Sequence, residues 1–298
     1  MSVAPTTLGA FVCRTAPKFC KRCAQDFQRD VRPAPHCPDP AAWPDTGLHA
    51  AWLGHSTVLL KLDGVTILTD PVFSKRAGIG LGPVTLGIKR IVEPALAIAE
   101  LPKIDAVLLS HAHMDHFDLP SLRRLEGRGV TVVTASRTAD LLHVDRYGGV
   151  RELGWDERTQ VGPLGIRAFQ VRHWGARMRR DTYRGYNGYT IEVGRHRVLF
   201  GGDTAMTDSF RRLRTSRAFD LAIMPVGAYN PWIHAHCTPE QAWWMAEQAG
   251  AEFFLPVHHQ TFMLSREPYF EPIERVYGAA GKHPDRVAVA RIGQEFQL

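Results

Sequence analysis

Residues 111–116 read His111-Ala112-His113-Met114-Asp115-His116. Four side chains able to bind a metal fall within six residues. Neutral imidazoles and carboxylates are preferred ligands of zinc and of its transition-metal neighbours. As core material they would be poor, because each needs a polar partner once buried. The spacing does not suit a helical pair, whose ligands recur at i and i+4 as in H-E-x-x-H. It suits a tight loop that turns successive side chains inward. The flanks agree. Residues 104–109 form a short apolar run that reads as a strand. Asp118 and Pro120 read as the N-cap and first turn of a helix.

The pattern H-x-H-x-D-H resembles the signature of the metallo-β-lactamase superfamily. The resemblance implies an α/β fold, an αββα sandwich of two mixed β-sheets flanked by helices, with metal at one edge. It also implies a ligand set. His111, His113 and His173 would hold one ion, Asp115, His116 and His258 a second, and Asp203 would bridge them. His173, Asp203 and His258 each lie beside a strand-like stretch: residues 166–171, 197–200 and 253–257. Two zinc ions are the implied cofactors, with iron or manganese as alternatives. The implied nucleophile is a hydroxide held between the metals, which Asp115 would steer. No G-x-S-x-G element offers a serine nucleophile.

Further segments narrow the resemblance. They are Trp52-Leu53-Gly54-His55-Ser56-Thr57, Thr69-Asp70-Pro71-Val72-Phe73, Gly201-Gly202-Asp203-Thr204 and Pro225-Val226-Gly227-Ala228-Tyr229-Asn230-Pro231. Together they are similar to the N-acyl-phosphatidylethanolamine-hydrolysing phospholipase D group, over residues 45–263. The implied activity is a metal-dependent phosphodiesterase acting on N-acyl phospholipids or related phosphodiesters. A sugar-phosphate lactonase, another hydrolase of the same fold, or a non-catalytic metal-binding protein are the alternatives. The group tends to read His-Trp-Gly-Thr-Phe where this chain has His258-His259-Gln260-Thr261-Phe262, which alters a wall of the site.

Other roles follow from placement. His236, just before a helix start at Thr238, is expected to face substrate outside the ligand set and to take part in catalysis. Tyr229 and His259 are expected to touch substrate. His55 and Asp70 are expected behind the ligands, because ligating imidazoles usually donate their second N–H to a carboxylate or carbonyl. Trp243 and Trp244 read as core.

Composition sets the frame. The 298 residues are 45% hydrophobic and 22% charged, ordinary for a globular chain. Residues 1–45 read as an N-terminal extension and 46–298 as the hydrolase domain. Pro33, Pro35, Pro38, Pro40 and Pro44 make the end of the extension irregular, and a short helix is expected over 18–29. Cys13, Cys20, Cys23 and Cys37 crowd this arm, but Cys20-x-x-Cys23 lacks a second C-x-x-C, so free thiols are expected. Residues 51–60 read as strand. Asp63-Gly64 and Gly194-Arg195 read as hairpin turns, and Thr238-Pro239-Glu240-Gln241 as a capping box opening a helix that stops at Gly250.

The formal net charge is +6, and arginines cluster at 172–184 and 211–217. The first cluster begins beside His173 and is expected to hold an anionic headgroup. Such patches also suit peripheral contact with an anionic membrane surface. No zinc-finger, helix-turn-helix or RNP pattern points to nucleic acid. No apolar run approaches the roughly 18 residues of a membrane span, and no secretory signal is evident. The expected setting is cytoplasmic, at the inner face of a membrane where a phospholipid is the partner.

Overall fold

In the computed structural model, residues 29–81, 84–178 and 180–298 are described. The expected helix over 18–29 and the cysteines Cys13, Cys20 and Cys23 fall on or beyond the margin of these residues. The chain from Arg29 to Asp45 runs along the body. The backbone N–H of Arg32 donates to Ile91 O and that of Glu93 to Arg32 O, while Trp43 Nε1 donates to Glu295.

Among the described residues, seven strands form the first sheet, in the order β15-β1-β2-β3-β6-β7-β8. They are β1 (Leu48–Gly54), β2 (Thr57–Leu62), β3 (Val65–Thr69), β6 (Ala106–Leu109), β7 (Thr131–Ala135), β8 (Gly149–Leu153) and β15 (Glu295–Gln297). β4 (Arg76–Leu81) and β5 (Val84–Lys89) form a separate two-stranded ribbon. Six strands form the second sheet, in the order β14-β13-β12-β11-β10-β9. They are β9 (Arg158–Val161), β10 (Leu164–Phe169), β11 (Gly188–Val193), β12 (His196–Phe200), β13 (Phe219–Pro225) and β14 (Ala251–Val257). Both sheets are mixed: hairpins enter each, and β3-β6-β7-β8 and β12-β13-β14 run parallel.

Alternation places the core. Along β12, Val198 and Phe200 join Ile67, Val107 and Ile191 between the sheets, whereas Leu199 turns outward. That is the two-residue period of a strand. On the outward side, Leu199, Ala222 and Met224 meet Trp243 of α2 (Pro239–Ala249) and Val276 of α3 (Glu271–Ala280). The short α1 (Leu119–Arg124) adds Leu122 to the same cluster as Val107 and Ile67. Helices therefore flank two facing sheets, as the resemblance implied.

Local chemistry matches most expected turns. Asp63 and Gly64 take positive φ between β2 and β3, and Gly194 does so between β11 and β12. Thr238 Oγ1 accepts from Gln241 N while Gln241 Oε1 accepts from Thr238 N, and Gly250 closes α2 left-handed. The reading of 51–60 as one strand is corrected. His55 has φ 51°, and Trp52 Nε1 donates to His55 O, so the chain turns at His55-Ser56 into β2. No helix among the described residues is long and apolar enough to cross a membrane.

Candidate metal centre

The ligand loop leaves β6 at the edge of the first sheet and coils on itself. The N–H groups of His116 and Phe117 donate to His113 O. Arg177 ties the loop from outside, its Nη1 donating to Ala112 O at 3.0 Å and Phe117 O at 2.7 Å. Strands of the second sheet deliver the rest. β10 leads to His173, β12 to Asp203 and β14 to His258. Gly202 is required beside Asp203. Its φ is +56°, and a Cβ there would meet Asn187 O at 2.7 Å and Ser110 Cβ at 2.8 Å. Asp70, His55 and His258 have φ of 32°, 51° and 64°. Such left-handed conformations cost about 1–3 kcal/mol each and collect at functional sites.

These seven expected ligands converge into two groups. His111 Nε2 lies 2.8 Å and His173 Nε2 3.2 Å from His113 Nδ1, and they stand 4.0 and 3.8 Å from Asp203 Oδ2. In the second group, Asp203 Oδ2 is 3.1 Å from both His116 Nε2 and His258 Nε2. Asp115 Oδ2 is 3.7 and 3.5 Å from the same two nitrogens. Ligands about 2.0–2.2 Å from a tetrahedral ion stand roughly 3.3–3.6 Å apart, so each group matches the spacing of donors around one metal. Asp203 Oδ2 belongs to both.

Hydrogen bonds behind the rings decide which nitrogen faces inward. His116 Nδ1 donates to Asp70 Oδ2 at 2.6 Å. Ser110 Oγ donates to the same oxygen at 2.5 Å, so its partner His111 Nδ1, at 2.9 Å, supplies the hydrogen of that contact. His173 Nδ1 donates to Ala235 O at 2.9 Å. All three rings therefore turn Nε2 to the centre, their other N–H being donated as in metal-binding imidazoles, whereas His113 presents Nδ1. His116 Nε2, His258 Nε2 and Asp203 Oδ1 are buried with no hydrogen-bond partner. A buried polar atom left unpaired is costly, and a cation between these groups removes that cost. The residues present fit a pair of metal ions.

Electrostatics agree. Burial holds His111 and His173 well below the usual imidazole range, which keeps them neutral. Burial also opposes charge on His258, but Asp203 and Asp115 outweigh it and raise that ring to about 9. His116 is raised for the same reason by Asp203, Asp115 and Asp70. Burial favours a neutral Asp203, yet His116 and His258 hold it well below the usual carboxylate range. The cluster thus gathers positive charge around two anionic carboxylates when no metal is there.

The sequence profile of the beta-lactamase superfamily domain matches residues 65–259. The chain belongs to that superfamily. It is 34% identical over 273 residues to a Mycobacterium tuberculosis protein, spanning 86% of this chain and 71% of that one. It is 30% identical over 250 residues to N-acyl-phosphatidylethanolamine-hydrolyzing phospholipase D 1 of Caenorhabditis elegans, spanning 78% of this chain and 69% of the relative. A metallo hydrolase from the archaeon Ignicoccus hospitalis superposes with TM-score 0.62 at 21% identity, over 85% of this chain and 99% of that one, a likeness in fold. The chain is thus a metal-dependent hydrolase of the β-lactamase superfamily, with the metallo-β-lactamase fold.

The remaining expected residues fall at different distances from the cluster. Asp70 sits behind His116 and, through Ser110, behind His111. His55 Nε2 lies 3.1 Å from Asp115 Oδ2, and its backbone N–H donates to Thr261 Oγ1. His236 stands over the centre, its Nδ1 3.7 Å from Asp203 Oδ2 and its ring 5.1 Å from that of His173. Two expected substrate contacts have packing partners of their own, and His259 also lines a cleft beside His258. Tyr229 donates its hydroxyl to Glu271 Oε1 at 2.7 Å, with Arg275 over its ring. The buried ring of His259 stacks on Trp52 at 4.5 Å. The headgroup role expected of the 172–184 arginines is corrected for two of them. Arg177 clamps the ligand loop, and Arg184 is taken up by Asp140 and Asp181.

Sequence reasoning missed Ser110 and Trp174. Ser110 directly precedes the ligand motif, and that adjacency was its only signal. The Trp174 ring, half exposed, lies 4.7 Å from His113 and 4.5 Å from His173.

Proposed function

We propose that the protein is a dinuclear hydrolase of phospholipase D type that cleaves a phosphodiester, with an N-acyl phospholipid as the favoured substrate. One observation carries the dinuclear reading: Asp203 Oδ2 lies within 3.1–4.0 Å of four imidazole nitrogens drawn from both donor groups. The substrate class rests on the named relative from Caenorhabditis elegans. The surroundings support an acyl substrate. Exposed apolar side chains sit beside the cluster in the chain: Trp174 follows His173, Trp232 and Ile233 precede His236, and Met263 follows His258. His258 also lines a narrow cleft of about 60 Å³ with Phe262, Met263, Leu264 and Tyr269.

Mechanism follows from the residues. His111, His113 and His173 would hold one ion and Asp115, His116 and His258 the other, with Asp203 shared; zinc is the favoured metal. Bound ions would lower the pKa of water and offset negative charge on the substrate. Asp115 is the more open carboxylate, its side chain 17% exposed against 1% for Asp203. This openness supports a role for Asp115 in orienting the attacking water. Burial lowers His236 to about 4, so it is neutral near pH 7 and can share its one ring hydrogen with a substrate oxygen. A phospholipid substrate would bring the protein to a membrane surface as a peripheral, cytoplasmic enzyme.

The test is to incubate the zinc-loaded protein with N-acyl-phosphatidylethanolamine in mixed micelles, with an aryl phosphodiester and with a lactone. Water added at phosphorus should release phosphatidic acid and an N-acylethanolamine, and Asp203→Asn should abolish this. Turnover of the aryl ester alone would remove the lipid reading. Turnover of the lactone alone would replace the reaction class.

A further inference from the structure

The second sheet carries a feature remote from this chemistry. Its outer face is covered by α2, α3 and a 3₁₀ turn at Asp208–Leu213 over β12–β14 and the end of β10 at Phe169. Over the rest of β9–β11 lies a trough of about 340 Å³, closed on one side by Arg197 of β12 and by Arg212, Leu213 and Thr215. Its floor includes Gly165, where the missing side chain leaves room, and Thr190. Its walls carry Arg158, Arg167, Arg197 and Arg212. The single carboxylate in the lining, Glu192, accepts from Arg197 Nε at 2.8 Å. The lining therefore keeps a large positive excess.

The register makes that excess unusual. Arg158 and Arg167 are direct cross-strand partners on β9 and β10, facing the same side. Like charges directly opposite on a sheet repel and destabilise it. Arg167 turns one Nη to Asp156, which relieves part of the repulsion, but its buried Nε has no partner. Arg158 and Arg212 make no ion pair or side-chain hydrogen bond among the described residues. Arg197 is fixed by Glu192, by Thr215 Oγ1 at 3.0 Å and by the Phe219 ring beneath it. Two unpaired guanidinium groups thus stand over a prebuilt concave wall of a size that suits a small ligand. Guanidinium forks recognise phosphate oxygens in pairs.

We propose that this trough is a binding site for a phosphate monoester, separate from the metal centre and independent of the hydrolase reading. Arg158, Arg167 and Arg212 grip the phosphate, and Arg197 sets the wall against which it rests. Arg197 lies at the end of β12 away from Asp203, so occupancy of the trough does not compete with the metals.

The test is calorimetric titration of the zinc-loaded full chain with sn-glycerol 3-phosphate and, separately, with vesicles containing phosphatidic acid. The two arms tell a free ester from a lipid headgroup. Gly165→Glu places a carboxylate in the trough; a Cβ there meets only ordinary contacts, Gln160 Oε1 at 3.5 Å and Glu192 O at 3.7 Å. The double variant Arg158→Gln, Arg212→Gln changes only exposed side chains and serves should Gly165→Glu fail to fold. Binding in either arm should weaken about tenfold or more in these variants, the scale of one lost charge-assisted hydrogen bond, with metal content unchanged. Absence of binding in both arms would overturn the site. Equal binding in wild type and variants would also overturn it, since the ester would then sit elsewhere, at the metals.

Discussion

Asp70 holds His116 by a 2.6 Å bond to Nδ1, and through Ser110 it also reaches His111. One buried carboxylate on the first sheet therefore aims a ring from each donor group. Its Oδ1 also accepts Ser110 N at 2.7 Å, so both oxygens are used. Asp70→Asn keeps the shape but exchanges one acceptor for a donor. Loss of such supporting partners typically costs about 10–100-fold in metal affinity or activity. Zinc affinity of the variant, measured by competition with a chelating dye, should fall within that range. Unchanged affinity would show that the rings need no such anchor.

His236 separates two readings of the centre. Its Nδ1 lies 3.7 Å from Asp203 Oδ2, and although it is outside the two groups of expected ligands, it forms a further group with Asp203 and His258 close enough to hold a metal. His236→Ala should keep two metal ions per chain by elemental analysis while turnover falls about 10²–10⁴-fold, the contribution of a positioned acid or base. Metal loss equal to that of His111→Ala would make His236 a ligand.

Much of this centre was legible because its chemistry is local. The run 111–116 packs ligands too densely for a core, and Asp63-Gly64, Gly194 and the Thr238 capping box announce their turns through residue types that backbone geometry demands. What stayed hidden depends on convergence in space. Arg177 looked like a free cation because the sequence cannot show that the carbonyls of Ala112 and Phe117 meet at its guanidinium. Ser110 looked like any strand-end serine. The break at His55 was masked by the apolar residues on both sides, and the ribbon of β4 and β5 carries too many glycines for a clear strand signal. The Arg158 and Arg167 pairing needs the register of two strands, because the two residues lie nine apart in sequence.

Stability of α2 tests the capping assignment. Thr238 Oγ1 accepts from Gln241 N, and the helix it opens packs Trp243 and Met245 over the second sheet. Thr238→Ala should cost about 1 kcal/mol, read as a lower denaturant midpoint at an unchanged slope. Because the cap lies two residues after His236, the same variant reports whether that loop is held by the helix. Metal content should stay at two ions. A stabilised variant would refute the cap.

Metal uptake should release protons. With no cation between the carboxylates, burial disfavours charge on His258, but Asp203 and Asp115 prevail and raise it to about 9. At pH 7, below that value, the ring of the metal-free protein holds its extra proton. A metal ligand must be neutral, so binding displaces it. Zinc added to metal-free protein in weak buffer near pH 7 should therefore acidify the solution, followed with an indicator dye. The release should shrink above pH 9, where the ring is already neutral. Falling pH should weaken zinc binding, since protons compete for the same nitrogens. Zinc binding with no proton release at pH 7 would mean that His258 is neutral in the metal-free protein or lies outside the ligand set; its replacement by Ala, with metal content then measured, tells these apart.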